Sequence, residues 1–95
     1  MYANSKVDKL VARIKRQNVF PKTVVYANSE RRAEIELGDV SIQCEYNGKD
    51  YFIVGYWDEK EQSMFIFAET NTPTAAANAF VDCVRLHRAK SYKAA

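Results

Sequence analysis

The sequence predicts a two-layer α+β domain, in which a five-stranded antiparallel meander carries an N-terminal and a C-terminal helix on one face. The two ends of the 95-residue chain repeat apolar residues at helical spacing, whereas the middle alternates apolar and polar residues with a period of two. Short turn sequences separate the alternating segments. A chain of this length forms one domain around a single core, so residues 1–95 are taken as one unit.

The first helix is predicted over residues 6 to 17. Its apolar residues follow the pattern i, i+3, i+4 and i+7, which places them on one face. The opposite face carries basic residues at spacings of three, four and three, which we call the basic stripe. The apolar residues are Val7, Leu10, Val11 and Ile14, and the basic stripe is Lys6, Lys9, Arg13 and Arg16.

The central segments alternate in the way expected for strands with one buried face. In the second of them Ala33 and Ile35 share one face, whereas Glu34 and Glu36 occupy the other. The third alternates in the same way, with Glu45 on the outward side. The predicted strands cover residues 22 to 27, 32 to 37, 40 to 47, 50 to 58 and 63 to 69.

The last helix is predicted to begin at Thr72-Pro73, because threonine is a good N-cap and proline is favoured at the first helical position. Together with the strands it defines an expected core. The predicted core residues are Leu10, Ile14, Ile35, Ile42, Ile53, Ile66, Phe80 and Val84.

The register of the fourth strand decides which aromatic residues remain outside. Asn47-Gly48 is a strong signal for a two-residue hairpin turn, which would place Ile53 opposite Ile42 and turn Gly55 towards the helices. Residues 59 to 62 then form a four-residue loop that pairs Trp57 with Met64. In this register an apolar patch occupies the face without helices. Its predicted members are Phe52, Val54, Tyr56, Phe65 and Phe67.

Charge is distributed unevenly along the chain. The net charge of +2 divides into +5 for residues 1 to 29, −6 for residues 30 to 69 and +3 for residues 70 to 95. The sheet is therefore expected to be acidic and the helices basic. Glu34, Glu36 and Glu45 would flank the apolar patch.

These features favour a small protein-binding module without catalytic activity. Monomers seldom leave a large apolar patch exposed, and segregated charge guides association with an oppositely charged surface. The expected partner is a protein with a basic surface of the kind that normally holds nucleic acid, which would make the chain an inhibitor of the phage or mobile-element type. The predicted partner-binding residues are Phe52, Val54, Tyr56, Phe65, Phe67, Glu34, Glu36 and Glu45. A homodimer that buries the patch on itself is a second interpretation.

The alternative from a different class is a nucleic-acid-binding domain that follows a phosphate backbone with the basic helices. An RNA-binding sheet is less consistent with the sequence, because the glutamates beside the aromatic residues would repel phosphates. The residues for the helical alternative are Lys6, Lys9, Arg13, Arg16, Arg85 and Arg88.

The sequence offers little for catalysis. The single histidine, His87, falls on the apolar face of the last helix, where a packing role is the more common one. Cys44 and Cys83 are far apart in sequence and fall at inward positions, which is typical of buried thiols and not of a metal site. We therefore expect no enzyme activity, no metal and no cofactor. No segment resembles a secretion signal or a membrane span, so a cytoplasmic location is expected.

Overall fold

A computed structural model describes residues 6–17, 26–29, 31–49 and 51–94. It confirms the α+β class, with two helices and an antiparallel sheet. The strands lie side by side in the order in which they occur along the chain. The elements are α1 (Lys6–Arg16), β1 (Tyr26–Ser29), β2 (Arg32–Leu37), β3 (Val40–Tyr46), β4 (Phe52–Asp58), β5 (Ser63–Thr70) and α2 (Pro73–Ala94).

The two edges of the sheet differ in length and regularity. β1 is four residues long, and its pairing with β2 shifts register between Ala27 and Ser29. β5 is eight residues long and pairs with β4 along its length. Residues 22 to 25 of the predicted first strand lie outside the described residues.

The start of α2 follows the predicted capping chemistry. The Thr72 hydroxyl oxygen accepts a hydrogen bond from the Ala75 amide at 3.1 Å, and the Thr72 carbonyl accepts one from the Ala76 amide at 3.0 Å. Pro73 is the first helical residue, where its missing N–H group costs nothing. A threonine cap and an N-terminal proline therefore fix this boundary locally.

One hydrophobic core joins both helices to the sheet. All four apolar residues of the α1 pattern are buried, and six of the eight predicted core residues are confirmed. The two exceptions are Ile53, which is half-buried, and Ile66, whose residue surface is 59% exposed. We call the side of the sheet that faces this core the inner face. Its buried residues are Ala33, Ile35, Ile42, Cys44, Phe52 and Val54.

The exceptions arise because the predicted register between β3 and β4 is wrong. Tyr46 lies opposite Phe52, and Ile42 lies opposite Tyr56 in place of Ile53. The shift is three residues, and any odd shift moves every side chain of a strand to the other face. Phe52 and Val54 are consequently core residues.

A longer loop produces this register. The Asn47 amide donates to the Tyr51 carbonyl at 3.0 Å, and the Asn47 side-chain oxygen accepts the Lys49 amide at 2.9 Å. Asn47 therefore closes a five-residue loop, in which Gly48 adopts a φ of +93°. This connection turns Phe52 inwards, where its ring lies 4.9 Å from that of Tyr46. Burying a phenylalanine outweighs the local preference of Asn-Gly for a two-residue turn.

The hairpin between β4 and β5 has the predicted loop of residues 59 to 62. Trp57 lies opposite Met64 and Gly55 lies opposite Ile66, which confirms these two pairs. Beyond them the strand carries a bulge, since Val54 pairs with Ala68 and leaves Phe67 as an extra residue.

The register predicted from Asn47-Gly48 turns Gly55 towards the helices. In the structure Gly55 instead lies next to this bulge. A Cβ atom at Gly55 would lie 2.6 Å from the Phe65 carbonyl oxygen and 3.3 Å from the Met64 methyl carbon. Glycine is needed here because the backbone of β5 comes too close for any side chain.

Candidate protein-binding face

The outer face of the sheet consists of the residues that alternate with the buried ones. On β4 and β5 these residues are large and apolar, and we call them the outer apolar strip: Ile53, Trp57, Met64 and Ile66. Met64 is 45% exposed and Ile66 59% exposed, whereas Ile53 and Trp57 are half-buried. An apolar surface of this kind in contact with solvent is typical of an interaction site.

Glutamates surround the outer apolar strip. Glu34 and Glu36 lie on β2, Glu45 on β3, Glu59 in the loop after β4, and Glu69 on β5 opposite Ile53. We call these five residues the acidic rim. Because they project from four different parts of the sheet, a partner on the apolar strip would meet negative charge on several sides.

Several members of the acidic rim are held in place. The Trp57 indole nitrogen donates to Glu59 at 2.9 Å, and Arg32 forms an ion pair with Glu45 at 2.8 Å. The Tyr51 hydroxyl donates to the Glu69 carboxylate, and this hydrogen bond is the main reason why the pKa of Tyr51 is raised. These contacts orient the carboxylates without removing them from solvent.

A shallow groove of about 330 Å³ runs beside Trp57 on this face. Its lining includes Glu34, Glu36 and Glu59 together with Ser41, Gln43 and Trp57. Aromatic and carboxylate groups together form surroundings that suit a guanidinium or ammonium group.

The predicted apolar patch is not assembled as expected. Phe52 and Val54 are fully buried in the core. Tyr56 lies on the inner face, where its ring is 4.3 Å from that of His87, and Phe65 stacks on Tyr56 at 5.2 Å. Phe67, which is 37% exposed, is the bulge residue. The three predicted glutamates, in contrast, do lie on the outer face opposite the core positions.

The predicted register turned the whole outer apolar strip inwards, with Ile53 and Ile66 among the predicted core residues. A local signal could have corrected this: the residues after Gly48 begin with Lys49 and Asp50, which a strand with a buried inner face rarely places next to the core. A polar start favours a longer loop. With the longer loop, every side chain of β4 points to the face opposite to the one predicted.

The basic residues of the nucleic-acid alternative are found on the helices. Lys9, Arg16, Arg85 and Arg88 are exposed, whereas Arg13 is half-buried. The side chain of Lys6 lies outside the described part of the chain. Their position on the helices and that of the acidic rim on the sheet match the uneven charge of the sequence.

The remaining reactive side chains are engaged in packing. Cys44 and Cys83 are both buried, as predicted, and burial raises the pKa of Cys44 to about 12. The His87 Nδ1 atom lies 2.9 Å from the Cys83 carbonyl oxygen one turn earlier, so an N–H at this position donates within the helix.

Within the described residues, no three histidine, cysteine, aspartate or glutamate side chains are grouped so that they could hold a metal ion. No helix in this part of the chain is long and apolar enough to cross a membrane. Comparison of the chain with protein-family models, with curated proteins and with solved structures returned no match.

Proposed function

We propose that this protein is a small non-catalytic binding module that docks the outer face of its sheet onto a basic surface of another protein. The observation that carries the proposal is the exposed outer apolar strip beside five glutamates. The proposal takes both helices to lie on the inner side. This placement is supported by the core that they share with the inner residues of β2, β3 and β4.

The outer apolar strip would supply most of the affinity. Tryptophan and methionine are enriched at the centres of interfaces, and a few such residues usually dominate the binding free energy. Trp57 is already oriented by its hydrogen bond to Glu59, so little conformational freedom is lost when a partner covers it.

The acidic rim would select a basic partner. Complementary charge raises the association rate and excludes partners of the wrong sign. The groove beside Trp57 would accept an arginine or lysine side chain of that partner, because both an aromatic ring and several glutamates line it. The same charges oppose a homodimer through this face, because two copies would bring ten glutamates of the acidic rim together.

A basic surface with an apolar centre is often one that holds nucleic acid. A protein that covers such a surface excludes the nucleic acid, and this is the basis for proposing an inhibitor of the phage or mobile-element type. This protein and the nucleic acid would then compete for one surface of the partner. The apparent affinity of this protein for the partner should therefore fall as the nucleic-acid concentration rises.

The test is an affinity measurement with matched variants. Partners are captured from lysate with the immobilised protein, and the purified partner is titrated calorimetrically. We expect Trp57→Ala to weaken binding by about 2 kcal/mol, the usual size of a central contact. The control is Leu86→Ala, which removes a large apolar side chain that is 44% exposed on α2 and leaves the outer face of the sheet unchanged. The control should leave the affinity unchanged.

A second variant separates the proposal from its alternative. Arg13→Glu combined with Arg16→Glu reverses charge on the basic stripe without touching the outer face. If this double variant abolishes binding whereas Trp57→Ala does not, the protein acts through its helices. The nucleic-acid hypothesis would then replace the one proposed.

A further inference from the structure

The edge of the sheet at β5 is an unusual edge strand. It presents four consecutive large apolar residues, Met64 to Phe67, each between 37% and 59% exposed. An edge strand also exposes the N–H and C=O groups of alternate residues, which can pair with another strand. Edge strands of natural proteins are commonly protected from pairing with other chains by lysine or proline residues, or because they are very short. β5 has eight residues and contains neither lysine nor proline, so only its bulge and Glu69 protect it.

The opposite edge does not offer the same surface. β1 has four residues and an irregular register, whereas β5 has eight residues. β5 is also continuous with the outer apolar strip, because Met64 and Ile66 belong to both. A partner strand beside β5 would therefore extend the proposed docking face without a gap.

We infer that an extended segment of the partner protein adds to the sheet as a sixth strand beside β5, and that this segment is apolar in its centre and basic at its ends. This inference rests on the proposed function and specifies how the partner binds. Main-chain hydrogen bonds along β5 supply the pairing, and the apolar side chains of Met64 to Phe67 supply the contact area.

The negative charges near the two ends of β5 favour a partner strand with basic ends over a second copy of this chain. In antiparallel self-pairing the start of each β5 lies beside the end of the other. The loop before β5 contains Glu59 and Glu61 against Lys60, and Glu69 lies near the other end of the strand. Self-pairing would place these like charges together at both ends, whereas lysine or arginine at the ends of a partner strand would neutralise them.

The experiment uses hydrogen exchange of the β5 amides, measured by NMR on the whole protein. The probe is a capped synthetic peptide of alternating valine and threonine with two lysines at each end. At a peptide concentration about ten times its Kd, mass action predicts roughly tenfold slower exchange at alternate β5 amides. Amides of β1 should exchange at their original rates.

Two control peptides test the parts of the inference. One is N-methylated on every valine and threonine, which removes the main-chain donors of both of its edges and sets methyl groups against any neighbouring strand, and it should protect no β5 amide. The other carries glutamates in place of the lysines and should bind at least tenfold more weakly at low salt. Equal protection by the N-methylated peptide would overturn strand addition, and equal binding of the glutamate peptide would overturn the basic partner.

Other outcomes separate this inference from the function on which it rests. If Trp57→Ala weakens binding of the captured partner but β5 amides stay unprotected in that complex, the docking face stands and strand addition is wrong. If Trp57→Ala has no effect, the proposed function itself fails. A dimer in sedimentation with β5 amides already protected in the free protein would show that a second copy occupies the edge, which also overturns the inference.

Discussion

Truncating Phe52 tests the register on which the outer face depends. Phe52 is fully buried, and its ring packs 4.9 Å from that of Tyr46. We expect Phe52→Ala to lower the free energy of unfolding by about 3–5 kcal/mol, the usual cost of removing a buried phenylalanine ring. A domain of this size has a total stability of roughly 5–15 kcal/mol, so the variant should lose at least about a fifth of its stability.

The matched comparison is Ile66→Ala. Ile66 is 59% exposed, so about two-fifths of its surface is buried. Full burial of an isoleucine is worth about 1.5–3 kcal/mol, and the expected loss for Ile66→Ala is therefore about 1 kcal/mol or less.

Urea denaturation of the two variants and the wild type, monitored by circular dichroism, measures how much each substitution lowers the free energy of unfolding. Thermal denaturation should agree, with a melting temperature at least ~12 °C lower for Phe52→Ala. If Ile66→Ala proves the more destabilising change, then Phe52 lies outside and Ile66 inside, and the assignment of the outer face is refuted.

Three further predictions concern the bulge, the buried thiol and the acidic rim. Gly55→Ala should destabilise the protein by about 1–3 kcal/mol, because its Cβ would lie 2.6 Å from the Phe65 carbonyl oxygen; an unchanged urea midpoint would contradict this. The pKa of Cys44 is about 12 in the folded state against an ordinary value of 9.0, so above about pH 9 the unfolded thiol loses its proton while the folded one keeps it. Stability should therefore fall as pH rises from 9 towards 12, and it should fall less steeply in Cys44→Ala. Glu34→Lys with Glu36→Lys should slow association with the captured partner in stopped-flow measurements, most at low salt; a rate independent of salt would exclude electrostatic guidance.

Much of the fold was predictable from local patterns. The apolar spacing of α1, the Thr72-Pro73 start of α2 and the alternation of β2 and β3 each depend on neighbouring residues, and the structure confirms all three. The glutamates at positions 34, 36 and 45 were likewise placed on the outer face, because a strand with a buried apolar side fixes where the alternate residues point.

The register of β4 was decided by the tertiary structure. Both faces of β4 are apolar, so its alternation does not say which face is buried, and the Asn47-Gly48 turn favours the wrong register. The core selects the register that buries Phe52 and Val54, and the loop lengthens to permit it. The sequence by itself therefore determined that β4 and β5 would leave an apolar surface beside acidic residues. Only the core of the folded protein decided that this surface is built from Trp57 and its neighbours, because a strand that is apolar on both sides has a preferred side only when one of them is covered.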